Sequence, residues 1–568
     1  MHINIIPNRG SSPTVLLRES FREGSKVCKR TLANLSALSA AQIQMIRGAL
    51  RGDMLQPVEQ TFEVIASPAH GHVQAVCLAM QRLGFASVLA SKPSPQRDLV
   101  LAMVASRIIC PATKLATARL WHNSTLAREF GVSDANENDL YAAMDWLLEG
   151  QDRIQKKLAA RHLKEDSLVL YDLSSSYFEG QHCPLAKLGY SRDGKRGTLQ
   201  VNYGLLTDDR GCPVAISVYE GNTSDSTTFM PQVTRVREQF GIKRMVMVGD
   251  RGMISQKAID EMSQDADVAW ITALRSSSIR TLVEQQHLQL GLFDERNLLE
   301  ISSPDFPGER LVACRNPELA KSRMHTRNDL LLATERALEK IKVRVAAAKL
   351  VGKDKIGIAA GKVVNRYKVA KHFELTVHDD VFTYARLEDN IAAEAALDGL
   401  YIIRTSVQSQ RMDGPACVRT YKSLAQVERA FRSIKMMDLK VRPIHHHLEN
   451  RVRAHIFLCM LAYYVEWHMR EAWRELMFAD EDQAAKLIRD PVAPAQRSAA
   501  AMKKVQNHTL DDGTPVHSFQ TLMATLSGIV RNTCRTPGGG PDAPTFEKST
   551  TPNQKQRRAL ELIDQIKP

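Results

Sequence analysis

Near residue 167 the spacing of apolar residues changes from helical to strand-like, and this change constrains the fold more than any other feature of the sequence. Before it, over 71–162, apolar positions recur at helical intervals, as in LYAAMDWLL at 140–148, with Pro93, Pro95 and Pro111 as breaks. After it come strand-like runs at 167–173, 200–207 and 213–219, the last two joined by the turn residues Asp208, Asp209, Arg210 and Gly211. Helical spacing over 227–240, a buried-strand run at 244–249, helical spacing over 255–263 and a further strand at 268–274 follow. The order strand, strand, strand, helix, strand, helix, strand implies an α/β unit: an antiparallel meander extended into a mixed sheet, with helices covering its faces.

The segment 276–398 shows strand-like pieces, a charged helix over 328–349 and another strand-like stretch at 371–385. A loop of that length without structure is improbable in a compact unit, so the segment reads as an insertion domain. The strand 399–405 and the helices after Ser423 return to the main unit. The expected division is therefore 1–105, an N-terminal region; 106–166, a helical module; 167–275 and 399–475, two parts of the sheet domain; 276–398, the insertion; and 476–568, a C-terminal region. Residues 535–545, rich in Gly and Pro, read as a flexible linker or tail. Near the start, two short strands around Gly24 bring Arg18, Arg22, Lys26, Lys29 and Arg30 together, either as a DNA-gripping hairpin or as a solvated edge.

Lys and Arg total 76 against 63 Asp and Glu, a net charge of +13, which favours a polyanionic partner because cations release condensed counterions on meeting a phosphate backbone. The apolar stretch 456–465 is too short to cross a bilayer, and the N-terminus lacks the pattern of a secretory signal, so no membrane partner and an intracellular location are expected. Nine cysteines are scattered without Cys-x-x-Cys or any paired spacing that would make a zinc site or disulfide framework, and they read as small buried hydrophobes.

Three acids are the candidates to carry the chemistry, though a lone Asp at a strand end is as readily a turn or helix-cap residue. Asp172 closes the apolar run at 168–171, and Asp250 closes the run at 245–249 just before Arg251 and Gly252. A carboxylate at a strand end lies at the open rim of a sheet, where Mg²⁺ can take one or two protein oxygens and keep its other positions for water and phosphate. Ser423 and Gln426 suggest a capping box, so that a helix begins near Leu424 with Leu424, Val427, Phe431 and Ile434 on its apolar side. Glu428, Arg432 and Lys435 share a neighbouring face. Over 419–442 seven basic residues stand against two acidic ones, so Glu428 alone could be no more than the i, i+4 partner of Arg432.

Tyr421, Glu428 and Lys435 match a signature of Tyr, two residues, Arg, three residues, Glu, six residues and Lys. This resembles the DDE insertion-sequence transposases of the IS-four-like group, as do GLYIIRT at 399–405, AQVERAFRSIK at 425–435 and RVRAHIFLCMLAYY at 451–464. The resemblance covers roughly 167–467. It implies an RNase H-like catalytic domain interrupted by an insertion domain, with a mainly helical N-terminal region that binds DNA ends and a helical C-terminal region. It also implies that Asp172, Asp250 and Glu428 are catalytic and hold two Mg²⁺ ions, for which Mn²⁺ substitutes. Two such ions about 3.5–4 Å apart bridge a scissile phosphate. Double-stranded DNA is the implied partner, as terminal inverted repeats and target, with a homodimer joining two ends in the bacterial cytoplasm at the nucleoid. The signature's Arg falls on Leu424, so that either Arg419, Lys422 or Arg432 replaces it or its contact is absent.

Tyr421, Lys422, Arg432, Lys435 and Arg251 are the DNA-binding candidates around the acids. Arg192, Lys195 and Arg196 join them from the glycine-rich hairpin GYSRDGKRG at 189–197. His445, His446 and His447 lack an accompanying ligand cluster and read as a loop with incidental nucleic-acid contact. Two rivals keep the same acids in view: an RNase H-like nuclease without strand transfer, and a non-catalytic DNA-binding relic.

Overall fold

The computed structural model describes residues 1–53, 61–288, 293–294, 297–482, 484, 489–493, 496–538, 540 and 542–567. The chain forms two compact units, Met1–Pro68 with Ile529–Thr551, and Ala69–Gly528 with Pro552–Pro568. In the first, β1 (His2–Ile6), β2 (Thr14–Glu23) and β3 (Lys26–Asn34) form an antiparallel sheet. The hairpin expected around Gly24 closes with Glu23 paired to Lys26. Ser39 and Gln42 make a capping box that starts α1 (Ala40–Arg51). β4 (Glu63–Ala66) pairs with Arg531–Arg535, which pairs in turn with Thr545–Ser549. The stretch 535–545, expected as a flexible linker or tail, therefore connects two paired strands. The first unit ends at Pro68 rather than at 105, because the helices from 71 onward pack into the second.

That second unit opens with α2 (Gly71–Arg82), α3 (Phe85–Leu89), α4 (Pro95–Ile109), α5 (Lys114–Leu120), α6 (Leu126–Glu129), α7 (Glu137–Glu149) and α8 (Gln151–His162). The prolines act as punctuation: Ser94 caps α4 with Pro95 in its first turn, and α4 ends before Pro111. The sheet strands are β5 (Ser167–Tyr177), β6 (Lys187–Leu188), β7 (Leu199–Thr207), β8 (Pro213–Glu220), β9 (Met245–Val248) and β10 (Val268–Ala273), with α9 (Asp225–Glu238) and α10 (Gln256–Met262) between them. β5, β7 and β8 form the expected antiparallel meander, and β9 lies parallel to both β5 and β10. All four residues of β9 are fully buried, as an unbroken apolar run with covered faces requires. This mixed sheet, ordered β8-β7-β5-β9-β10, has the RNase H-like arrangement.

The expected insertion divides in two. After α11 (Ser276–Glu284), β11 (Leu298–Ile301) and β12 (Arg310–Arg315) extend the main sheet, because β12 pairs with β15 (Leu400–Thr405), which pairs with β10. Between β12 and β15, α12 (Pro317–Ala346), α13 (Lys353–Tyr367), the hairpin β13 (Phe373–Val377) and β14 (Phe382–Arg386), and α14 (Glu388–Ala395) build a separate apolar cluster around Leu331, Leu338, Ile356 and Phe373.

After α15 (Gly414–Lys422) and α16 (Leu424–Arg432), a π turn at Ser433–Met437 precedes α17 (Glu449–Ala472), which is buried on nearly every side from Val452 to Met469. Among the described residues no single helix is long and apolar enough to cross a membrane.

His446 lies in the loop before α17, beside His455 (ring centroids 5.0 Å apart) and Tyr141 (6.0 Å). Burial, then the positive charges of Lys114, Arg107, Arg451 and His445, push its pKa down to about 3, and His455 falls well below its ordinary value for the same reasons. Lys114 itself is lowered to about 7 by burial and Arg107, while the Cys459 thiol raises it slightly. For the two histidines a folded-state pKa below the unfolded one favours the neutral form, so their contribution to stability is present above about pH 6.5 and is lost as pH falls toward the folded value. The melting temperature of His446→Gln should therefore drop less between pH 7 and pH 5 than that of the unsubstituted protein. Parallel pH dependences in thermal melts would contradict this account.

Candidate active site

Two strands set the first two acids. The parallel register pairs Ser167 with Met245 and Leu170 with Val248, so two residues further on it brings Asp172 level with Asp250. β9 stops at Val248, whereas β5 continues to Tyr177 against β7. Asp172 therefore lies within β5, not at its end as expected. Side chains alternate along a strand: Val169, Tyr171 and Leu173 join the core with Phe229, Met253 and Ile259, which leaves Asp172 on the opposite face. Asp250 does end its strand. Its Oδ1 accepts the backbone N–H groups of Gly252 and Met253, both at 2.8 Å, which holds the carboxylate in a tight turn.

The third acid comes from α16, which packs on β5 and sets Phe431 edge-on to Tyr203 of β7 at 5.7 Å. Leu424, Val427, Phe431 and Ile434 are buried as their spacing required, and Glu428 and Arg432 are exposed. The expected capping box does not form. Ser423 is helical and its hydroxyl donates to the Thr420 carbonyl at 2.6 Å, because α15 runs almost directly into α16. No ion pair joins Glu428 to Arg432 among the described residues, so the carboxylate is not spent on its helical neighbour.

Burial raises the Asp172 carboxyl to about 7; the Leu173 N–H, donating to Oδ1 at 2.8 Å, and Arg192 oppose the rise, and the charges of Asp250 and Glu428 add to it. Burial, then Asp250, Asp172 and Glu428, push the Tyr421 hydroxyl up to about 12, with Arg251 opposing. Asp172, Asp250, Glu428, Tyr421, Arg192 and Arg251 are thus electrostatic neighbours. Three mutually repelling carboxylates, one of them largely buried, form a set of hard oxygens suited to divalent cations such as Mg²⁺.

The basic candidates divide. Arg251, Arg196 and Arg432 are exposed. The Arg192 guanidinium pairs with Asp225 at 2.5 Å, and the Lys195 ammonium sits 3.5 Å above the Tyr177 ring. The Lys422 ammonium donates to the Val492 carbonyl at 3.4 Å. Lys435 does not share the exposed face of Glu428 and Arg432. The π turn Ser433–Met437 puts extra residues into the helix end and rotates Lys435 inward, where it pairs with Asp193 at 3.1 Å. Arg442 meets the other oxygen of Asp193 at 2.5 Å. Asp193 and Arg442 were not anticipated from the sequence. The clue was an acid in an otherwise basic hairpin, which needs cations of its own when the hairpin folds inward. His445, His446 and His447 lie in a loop, as expected, with His446 half-buried against Tyr141.

The transposase DDE domain matches residues 164–465, more than half of the chain, from just before β5 into α17 and across all three acids. The chain belongs to the DDE transposases. The N-terminal domain of the IS1634 family transposases matches residues 3–58 of the same chain. The transposase is similar, at 9% identity and a TM-score of 0.34, to the piggyBac transposase in a cryo-EM structure of its synaptic complex with hairpin DNA; the alignment covers 80% of this chain and 77% of that one. No curated protein matches the chain. As a DDE transposase it is a polynucleotidyl transferase and endonuclease of DNA transposition, and its family uses divalent metal ions.

Removing one member of a buried ion pair leaves an uncompensated charge, at a cost of about 3–5 kcal/mol. Asp193→Ala should therefore release the 189–197 hairpin, and trypsin should cut the native transposase after Arg192, Lys195 or Arg196 faster than in the parent. Arg432→Ala should leave that rate unchanged. Equal cutting of Asp193→Ala and the parent would show that the clamp does not order the hairpin.

Proposed function

We propose that Asp172, Asp250 and Glu428 are the catalytic acids and hold two Mg²⁺ ions, with Mn²⁺ able to replace them, for cleavage and strand transfer at the ends of an insertion sequence. The observation that carries this reading is the convergence of three carboxylates from β5, the β9 end and α16 at the point where β9 leaves β5, inside the matched DDE segment. Bound there, the ions would activate a water or 3′-hydroxyl and stabilise the leaving oxygen.

The chain's own residues have the remaining tasks. The turn amides of Gly252 and Met253 fix one oxygen of Asp250, and the Leu173 amide fixes one oxygen of Asp172, so both carboxylates are oriented before any ligand arrives. Arg251 and Arg432, exposed beside the acids, are placed to meet phosphate oxygens, and Arg196 extends that reach along the hairpin. Tyr421, whose hydroxyl feels the charge of all three acids, and its neighbour Lys422 would contact the DNA beside them. Arg192 lies near enough to Asp172 to lower its pKa while tied to Asp225, which makes it a positioning group and a phosphate contact at once. Lys195 and Lys435 act on DNA through the hairpin they hold in shape.

The partners are the element's terminal inverted repeats and the target duplex, met in the bacterial cytoplasm at the nucleoid. One chain carries one set of acids and an element has two ends, so a homodimer would hold both ends together. Arg22, Lys26 and Lys29, exposed along β2 and β3, make the N-terminal unit the first candidate for reading the repeat.

With a duplex carrying the element's own ends and Mg²⁺ present, Asp250→Ala should abolish cleavage and joining at unchanged DNA occupancy. Cleavage without joining by the parent protein would favour a nuclease, and activity retained by Asp250→Ala would remove that acid from the site. Arg432→Ala should weaken DNA binding for all sequences alike and reduce the slope of log affinity against log salt by about one. An unchanged slope would exclude a phosphate contact by Arg432.

A further inference from the structure

Cysteine spacing in the sequence gave no sign of a zinc site, yet three metal-type side chains meet in the fold. Among the described residues, His162, Cys212 and His468 form the set whose ligand atoms all lie within 4.8 Å of one another. His162 ends α8, Cys212 closes the turn between β7 and β8, and His468 lies near the end of α17. Cys212 Sγ stands 3.8 Å from His162 Nε2 and 3.8 Å from His468 Nε2. Metal-to-ligand distances of about 2.3 Å for sulfur and about 2.0–2.1 Å for nitrogen, at tetrahedral angles, separate neighbouring ligand atoms by roughly 3.5 Å. The two sulfur–nitrogen distances lie within a few tenths of an ångström of that spacing, and the two imidazole nitrogens lie within 4.8 Å of each other.

The surroundings have the features of a built site. Cys212 is fully enclosed, His468 is buried, and the His162 side chain is 3% exposed. His162 Nδ1 faces Asp208 Oδ2 at 3.9 Å, and that oxygen accepts from the Arg210 guanidinium at 2.9 Å. Asp208 is itself fixed, since Oδ1 accepts the backbone N–H groups of Cys212 at 2.8 Å and Arg210 at 3.0 Å. The Tyr464 hydroxyl, 3.1 Å from His162 Nε2, adds an oxygen on the same side.

We propose that His162 Nε2, Cys212 Sγ and His468 Nε2 bind one structural zinc ion, separate from the divalent ions of the active site, with the Tyr464 hydroxyl or a water in the fourth position. A thiolate with two imidazoles selects zinc over magnesium, which prefers oxygen. On binding, the Cys212 thiol gives its proton to solvent and the thiolate forms the metal–sulfur bond; no redox change takes place. The ion ties together α8, the β7–β8 turn and α17, three elements separated by 50 and 256 residues along the chain. It thereby staples the leading helical module and the closing helix to the edge of the catalytic sheet.

The test is the metal content and cobalt spectrum of the full chain, purified without a histidine tag. The expected result is about one zinc ion per chain by mass spectrometry, unchanged in Asp250→Ala and lost in Cys212→Ser and in His468→Gln. After chelation, adding zinc should raise the melting temperature of the parent but not of Cys212→Ser, as a ligand that binds only the folded state must. Cobalt added to the chelated parent should give visible d–d bands and a near-ultraviolet sulfur-to-cobalt band, a readout that needs no variant to fold. Absence of zinc together with absence of the cobalt sulfur band, or zinc retained at full stoichiometry in Cys212→Ser, would overturn the proposal.

Discussion

The parallel pairing of β5 with β9 is the constraint on which the site depends. Parallel strands keep one register along their length, so residues at equal offset face the same side. That pairing sets Asp172 level with Asp250, and the unequal strand lengths then open the sheet beside them: β9 stops at Val248 and β5 runs on with β7. The continuation is possible because β7 carries Gly204 opposite Leu173. A Cβ at that position would lie 2.1 Å from the Tyr171 hydroxyl, so glycine there lets a fully buried tyrosine lie across the neighbouring strand. The core on one face and the acid on the other therefore arise from the same alternation along β5.

A second constraint runs through α17. Glu466 is fully buried on this helix and Arg470 stands one turn further on; with Ser433 and Asp438 they form one network, in which the Ser433 hydroxyl lies 2.9 Å from an oxygen of each carboxylate and Arg470 pairs with both. Buried charges persist only when paired and hydrogen-bonded, so this network fixes where the π turn can lie. The π turn in turn directs Lys435 to Asp193, and Arg442, a few residues on, closes the same clamp. A buried helix thus governs the shape of an exposed hairpin through a chain of ion pairs.

The strand order, the meander and the apolar stripe of α16 were legible in the sequence because each rests on local periodicity. What escaped depends on contacts between distant segments. Asp172 reads as a strand end because the polar residues Ser174, Ser175 and Ser176 follow it, yet β7 pairs with them and Ser176 bonds the Tyr203 hydroxyl at 2.7 Å. β11 and β12 read as insertion because they follow α11, whereas the pairing of β12 with β15 that joins them to the main sheet is made across some ninety residues of chain. The seven-residue step from Glu428 to Lys435 would hold one face of a regular helix; the π turn breaks that regularity without a signal in composition. His162, Cys212 and His468 are too far apart in sequence for any spacing rule.

The positive charge of the chain does two kinds of work, and burial separates them. Cations that are buried or tied to carboxylates, such as Lys435 and Arg442 on Asp193 and Arg470 on Glu466, are largely neutralised where they stand and contribute shape. Arg196, Arg251 and Arg432 are exposed and retain a charge that a phosphate can meet. A net charge of +13 therefore overstates the DNA footprint near the acids and says little about its outline. The outline comes from the interior pairs, which fix the hairpin and the π turn. The motif's Arg position follows the same division: Leu424 is buried there, and Arg432, two turns further along α16, is exposed on the helix face with Glu428.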